Sequence, residues 1–142
     1  MKPTRILLTV LLGVTTCMPQ SVTSKEITSS YSLALLEQIN IYRSNKGLNP
    51  LRMDPALIRL ARNHSIMMFK KRQLSHNNFN ERFQQADSQL CVENVGWNYP
   101  VPQEMFEGWR HSSGHNRNML KKEVHRAGIA EVGRYVTFFA CN

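Results

Sequence analysis

Two histidines and one glutamate stand in short, turn-rich stretches of the sequence, where a cleft could bring them together. His76 follows a Leu-Ser pair, Glu93 precedes an Asn, and His115 lies in the polar stretch 112–118. Neutral imidazoles and a carboxylate suit Zn²⁺, and a protein that supplies only two or three ligands leaves a coordination position open for water or a ligand. No HExxH or CxxC motif fixes the three residues, so spacing alone favours histidines that act as capping or core hydrogen-bonding residues over a metal site.

Other histidines and the tryptophans receive structural interpretations. His64 falls on the apolar stripe of a predicted helix, which indicates a buried core histidine whose hydrogen bonds are satisfied. His111 and His125 have basic neighbours and are assigned to the surface. Trp97 and Trp109 are interpreted as core residues, because large aromatic side chains are mostly buried.

The N-terminus has the layout of a secretory signal peptide. Lys2 and Arg5 precede an apolar run over residues 6–14, and small polar residues follow. Cleavage is compatible with Cys17 or Ser24 as the last residue removed, and we favour the second site. The predicted organisation is therefore a signal peptide over residues 1–24, a lead-in over 25–34 and one domain over 35–142. The expected location is extracellular, or periplasmic in a bacterium.

The net charge and the hydropathy of the chain limit the classes of partner that it is expected to bind. The chain of 142 residues has a formal net charge of +8, and removing the two basic residues of the signal peptide leaves +6. This charge favours anionic surfaces such as phospholipid head groups or acidic glycans. Nucleic acid is not expected, because no groove-reading motif accompanies the charge. After the signal peptide no apolar run approaches the roughly 20 residues of a membrane span, so an integral membrane protein is not expected.

The cysteines allow one pairing in the mature chain. Cys17 leaves with the signal peptide, so only Cys91 and Cys141 remain in a chain sent to an oxidising compartment. A disulfide between them would stabilise the fold by about 4 kcal/mol in the chain-entropy model. Two buried free thiols, or a nucleophilic Cys91, are the alternatives.

Helices dominate the first half of the domain. Serines at 30 and 32 provide N-caps for a helix that ends near Lys46, with Leu33 and Leu36 among its apolar positions. Asp54 followed by Pro55 predicts the cap and first turn of a second helix. Shorter helices are predicted within residues 81–86, after residue 102 and within 115–121.

Strands come mostly last. Alternating side chains predict a strand over residues 91–99. Two further strands, over 128–133 and 135–141, are joined by a tight turn at Gly133-Arg134. Helices followed by strands indicate an α+β class with an antiparallel sheet.

Five stretches, in this order, resemble the CAP superfamily of cysteine-rich secretory proteins, antigen 5 and pathogenesis-related proteins, whose domain is also called SCP-like. They cover most of the chain from about residue 35 to 139, and Ser112 matches the bacterial-style subgroup. The stretches are Leu35-Leu36-x-x-Ile39-Asn40-x-x-Arg43, Leu74-Ser75-His76, Glu93-Asn94, Trp109-x-x-Ser112-x-Gly114-His115-x-x-Asn118-x-Leu120 and Gly128-Ile129-Ala130.

The resemblance implies an α-β-α sandwich with a central antiparallel sheet and a cavity lined by His76, Glu93 and His115. It also implies a divalent metal, commonly zinc, bound weakly by the two histidines. Eukaryotic members often have a second Glu where this chain has Ser112, and Glu107 is a candidate replacement.

These observations predict a secreted, monomeric binding or interaction module rather than an efficient enzyme. Its ligand is unknown; the resemblance implies lipid or sterol, or a partner in host or defence interactions. One alternative is a metal-assisted hydrolase with Glu93 as general base. The second alternative is a basic protein that binds anionic lipid or glycan surfaces.

Overall fold

The computed structural model describes residues 28–142, so the predicted signal peptide and the start of the lead-in lie outside the described residues. Five helices and four strands follow one another in this part of the chain. They are α1 (Ser30–Asn45), β1 (Arg52–Met53), α2 (Pro55–Lys71), α3 (Phe79–Gln85), β2 (Cys91–Trp97), α4 (Pro102–Arg110), α5 (Ser113–Met119), β3 (Arg126–Val132) and β4 (Tyr135–Cys141).

The strands form one sheet in the order β1-β3-β4-β2. β4 pairs antiparallel with both β2 and β3, as the predicted antiparallel sheet requires. The two-residue β1, which the sequence analysis did not predict, adds to β3 in parallel, so the sheet is mixed. All seven residues of β4 are buried, because this strand is flanked by strands on both edges and by helices on both faces.

Helices cover both faces of the sheet, which confirms the predicted α-β-α sandwich. α2 packs across β3 and β4 on one face, while α1 and α4 pack together on the other. Alternate residues of β4 separate the two cores: Phe138 joins the core of α1 and α4, and Phe139 joins the core of α2. The period of two along a strand is thus what divides the interior into two layers.

The predicted cap of α2 is confirmed, but Ser30 and Ser32, predicted as caps of α1, both lie inside that helix. Ser29 caps α1 by accepting a hydrogen bond from the backbone of Ser32, and Asp54 caps α2 by accepting from the backbone of Ala56 and Leu57. The predicted apolar stripe of α1 is wrong at one position. Leu33 is 53% exposed, because the buried stripe runs through Leu35, Leu36 and Ile39.

A buried arginine completes that stripe. Arg43 is 1% exposed, and its guanidinium donates to the backbone carbonyls of Asn49, Met119, Lys121 and Val124. These carbonyls belong to the segments before β1 and before β3. Arg43 therefore ties two otherwise irregular segments to α1 and satisfies acceptors that no helix or strand uses.

Two glycines are required by geometry. A side chain at Gly128 of β3 would collide with the backbone of Leu57, so the absence of a Cβ lets α2 approach the sheet closely. Gly133 and Arg134 both have positive φ, 55° and 68°, as a two-residue hairpin turn requires. This confirms the predicted tight turn between β3 and β4.

Cys91 and Cys141 lie directly opposite each other in the β2–β4 register and form a disulfide. The bond joins the start of β2 to the end of β4. Within residues 28–142, no helix is both long and apolar enough to cross a membrane.

Candidate functional site

The candidate site lies along β2. This strand has β4 on one side, and α5 packs against it. Its central residues Glu93 and Asn94 are 5% and 0% exposed, and each is engaged by side chains from other elements.

Glu93 is the centre of a buried ionic network. Arg82 of α3 donates from Nε to Glu93 Oε2 and from Nη2 to Glu93 Oε1, both at 2.8 Å. The remaining guanidinium nitrogen, Nη1, donates to the Asn77 carbonyl at 2.8 Å. This bidentate geometry is the strongest form of an arginine–carboxylate pair, and it occupies both carboxylate oxygens.

Two histidines approach the same carboxylate. His76 Nδ1 lies 2.9 Å from Glu93 Oε1, while its side chain is 52% exposed. His64 of α2 is fully buried, with Nε2 3.7 Å from Glu93 Oε1 and hydrogen-bonded to the Ser75 carbonyl at 2.8 Å. The prediction that His64 is buried is confirmed, although its Nδ1 has no hydrogen-bond partner within the described structure.

Asparagines hold α5, and with it His115, against β2. Asn118 Nδ2 donates to the Glu93 carbonyl and to Asn94 Oδ1, both at 2.9 Å. Asn94 Nδ2 in turn donates to the His115 carbonyl at 3.0 Å. These hydrogen bonds fix the backbone of His115 relative to Glu93.

The ring of His115 lines a cleft of about 330 Å³ between α4, α5 and the end of β2. It lies 6.3 Å from the buried ring of Trp109, centroid to centroid. The rest of the lining is mostly apolar: Leu74, Val95, Gly96, Trp97, Tyr99, Met105, Gly108, Trp109 and Ser112. His76 and Glu93 are not among the lining residues, and Glu93 is instead held in the network with Arg82.

His115 and His64 are harder to protonate than free imidazoles. Burial lowers the pKa of His115, and the positive charge of protonated His76 lowers that pKa further. Burial also lowers the pKa of His64, with the charges of Arg82 and His76 acting in the same direction and Glu93 opposing them. Both imidazoles are therefore neutral at neutral pH. A neutral imidazole is the form that binds metals or accepts hydrogen bonds.

The residues present fit a metal site of low ligand number. His76 uses Nδ1 for the Glu93 carboxylate, the arrangement in which an outer carboxylate orients a metal-binding imidazole and leaves Nε2 available. His115, whose pKa is lowered by burial, would supply the second imidazole. Residues 28–142 contain no group of three or more His, Cys, Asp or Glu that could hold a metal ion.

Several residues differ from the sequence interpretation. Arg82 was not predicted as a site residue, although it falls on the inner side of α3 with Phe79 at i−3, which indicates a buried charge with a partner. Glu107 forms a surface ion pair with Arg110 at 2.7 Å and does not line the cleft. Trp109 is buried as predicted, but Trp97 is 51% exposed, so its assignment to the core was wrong.

An α-β-α sandwich with this histidine-lined cleft defines a class of proteins, and comparison with known proteins identifies it. Residues 36–142 match the family model described as CAP, the cysteine-rich secretory protein family. The chain belongs to this family.

Two similar curated proteins come from Bacillus subtilis. The chain is 29% identical over 127 residues to the uncharacterized protein YkwD of Bacillus subtilis, covering 84% of this chain and 47% of that protein. An uncharacterized membrane protein of the same organism, YlbC, is 27% identical over 120 residues, covering 80% of this chain and 35% of that protein. The chain thus spans less than half the length of these curated relatives.

Solved structures share the fold. An extracellular protein containing a SCP domain from Bacillus anthracis superposes with a TM-score of 0.75 and 24% identity, over 79% of this chain and 40% of that one. An outer surface protein of Borrelia burgdorferi superposes with a TM-score of 0.68 and 18% identity, over 80% of this chain and 92% of that one. At these identities, the likeness establishes the fold alone.

Proposed function

We propose that this chain is an extracellular binding module with a weak divalent-metal site formed by His76 and by His115, which lines the cleft. The observation that carries the proposal is the hydrogen bond of 2.9 Å between Glu93 Oε1 and His76 Nδ1. It fixes the orientation of an imidazole that is otherwise half exposed. Zn²⁺ is the expected metal, because it accepts imidazole nitrogen readily and its borderline-soft character suits these ligands.

Binding to two imidazoles is expected to be weak. Structural zinc sites in proteins are usually closed by four protein ligands, whereas this site offers two. Water or the ligand itself would complete the coordination. The neighbouring cleft of about 330 Å³, with its aromatic and aliphatic lining, suits an apolar group such as part of a lipid or sterol. This proposed ligand class depends on the cleft and not on the metal.

A hydrolytic role for Glu93 is less well supported. A general base needs a free oxygen within hydrogen-bond reach of the attacking water. Both oxygens of Glu93 are engaged by Arg82 at 2.8 Å, and Oε1 is also engaged by His76. The carboxylate therefore fits an orienting role, and we propose a binding module rather than an efficient enzyme.

Zinc titration by calorimetry tests the metal site. The wild-type chain is expected to show saturable binding that the double variant His76→Ala/His115→Ala loses. The matched control is His111→Ala/His125→Ala, which removes two exposed imidazoles outside the site. Binding should also weaken well below the ordinary histidine pKa of about 6.5, since protons compete for the imidazole nitrogens. Equal zinc binding by both double variants would overturn the metal proposal.

Secretion has its own test, because residues 1–27 lie outside the described structure. Expression of the whole chain in a bacterium, followed by N-terminal sequencing of the protein in the periplasm or medium, should give a start at Lys25. A chain retained in the cytoplasm with its initial residues intact would contradict the predicted signal peptide. The disulfide between Cys91 and Cys141 is consistent with an oxidising destination.

A further inference from the structure

We infer that one end of the domain is a docking surface for a membrane rich in anionic phospholipid. The surface surrounds the β3–β4 turn, and we call it the turn-end surface. It consists of three exposed apolar side chains and four exposed cations: Phe69, Leu74, Trp97, Lys70, Lys71, Arg72 and Arg134. This inference concerns residues other than the histidine pair and does not depend on the metal site.

Contacts around the turn hold the apolar residues at one place. The ring of Phe69 packs against Gly133, where a side chain would collide with it. Trp97 packs on Tyr135, with ring centroids 6.0 Å apart, and Leu74 and Trp97 line the same cleft. The C-terminus of α2, the end of β2 and the hairpin turn therefore meet here.

The three apolar side chains are unusually open to solvent. Phe69, Leu74 and Trp97 are 49%, 48% and 51% exposed, although each is large enough to belong in a core. Such residues, when clustered, mark sites of interaction with a protein or a membrane. Tryptophan in particular favours the membrane–water interface, where its ring contacts acyl chains and its N–H stays hydrated.

The charge around this cluster selects the partner. Lys70, Lys71 and Arg72 end α2, and Arg134 occupies the turn, where its guanidinium donates to Asn98 Oδ1 at 2.8 Å. The ion pairs formed within residues 28–142 involve none of these four cations. The segments that build this end, 66–76, 95–101 and 133–135, contain no Asp or Glu.

An anionic bilayer is complementary to both features. Lys and Arg near its surface gain attraction from the negative potential, and exposed aromatic and aliphatic side chains enter the boundary between head groups and acyl chains. An acidic soluble protein or glycan would engage the cations but would leave the apolar side chains without a partner. The cations and the apolar side chains together therefore favour an anionic membrane as the partner.

Partition of the mature chain, residues 25–142, onto vesicles measures this binding, because the apolar run of the predicted signal peptide would itself enter a bilayer. The vesicles are phosphatidylcholine alone, or phosphatidylcholine with about one third phosphatidylglycerol, at about 0.1 M salt. Lys70→Gln/Lys71→Gln/Arg72→Gln should bind the anionic vesicles about 100-fold more weakly than wild type, at about fivefold for each charge removed. Far-UV circular dichroism checks that this variant is folded.

The matched control removes three charges from the opposite end of the β3–β4 hairpin. Arg52 lies on β1 beside the start of β3, and Lys121 and Lys122 lie shortly before β3. Arg52→Gln/Lys121→Gln/Lys122→Gln should retain most of the binding. Equal losses in the two triple variants would mean that net charge alone drives binding, and would overturn the assignment to the turn-end surface. Equal wild-type binding to both kinds of vesicle would overturn it as well.

Tryptophan fluorescence supplies an independent readout. The chain has two tryptophans, and Trp109 is 1% exposed, so a change in emission on vesicle binding reports Trp97. We expect a blue shift with anionic vesicles that is absent in Trp97→Phe. Binding without a shift in the wild type would show that Trp97 stays in water, which contradicts docking through this surface. Residues 1–27 contain no tryptophan and do not affect this signal.

Discussion

The ion pair between Arg82 and Glu93 gives the sharpest test of the site. The two side chains are 8% and 1% exposed, and they share two hydrogen bonds of 2.8 Å. Replacing Arg82 by Met removes both bonds and leaves a buried carboxylate with His76 as its remaining close partner. Breaking a buried pair by removing one member costs about 3–5 kcal/mol of unfolding free energy, because the other charge stays desolvated.

Urea denaturation followed by circular dichroism measures that loss. The matched control is Arg110→Met, which breaks the pair with Glu107, where the two side chains are 41% and 38% exposed. An exposed pair contributes about 0–1 kcal/mol, so the control should be nearly neutral. The double variant Arg82→Met/Glu93→Gln should lose less than the sum of its single substitutions, because no buried charge remains. A loss below about 1 kcal/mol for Arg82→Met would refute the buried network.

Two further predictions concern acid and packing. Because burial lowers the pKa values of His64 and His115, the folded chain binds fewer protons than the unfolded chain below about pH 6.5, so the unfolding free energy should fall as the pH decreases through this window. The pH dependence should be weaker in His64→Gln, and equal slopes in urea titrations would contradict this assignment. Gly128→Ala should lower the unfolding free energy by about 1–3 kcal/mol, because its methyl group meets the Leu57 backbone. Thermal or urea unfolding measures this loss. Gly114→Ala is the control, because the nearest atom to its added methyl group belongs to the Arg117 side chain, 4.0 Å away. An equal loss of unfolding free energy in Gly114→Ala would refute the packing argument.

Features that depend on neighbouring residues were predictable from the sequence. Asp54 caps α2, and the Gly133-Arg134 turn joins two strands, because capping and turn conformation depend on a few adjacent residues. The disulfide followed from having only Cys91 and Cys141 in the mature chain. The motifs, in the right order, also indicated the family from the sequence alone.

Contacts between residues distant in the chain were harder to predict from the sequence. Arg82 and Glu93 are 11 residues apart on a helix and a strand, and Arg43 reaches carbonyls up to 81 residues away. Arginines are mostly exposed in proteins, so residue type alone does not indicate that Arg43 and Arg82 are buried. They are buried because each finds partners that no local pattern specifies.

Exposure is where the sequence and the tertiary structure differ most. Local patterning indicated the helices and three of the strands, since periodicity and caps act within a few residues, and the family motifs indicated the histidines. It could not tell that Leu33 and Trp97 face solvent, because burial depends on what packs against a helix or strand from elsewhere in the chain. Tertiary structure alone therefore decided that Glu93 is held by Arg82, and that Trp97 packs on Tyr135 at the end of the β3–β4 hairpin.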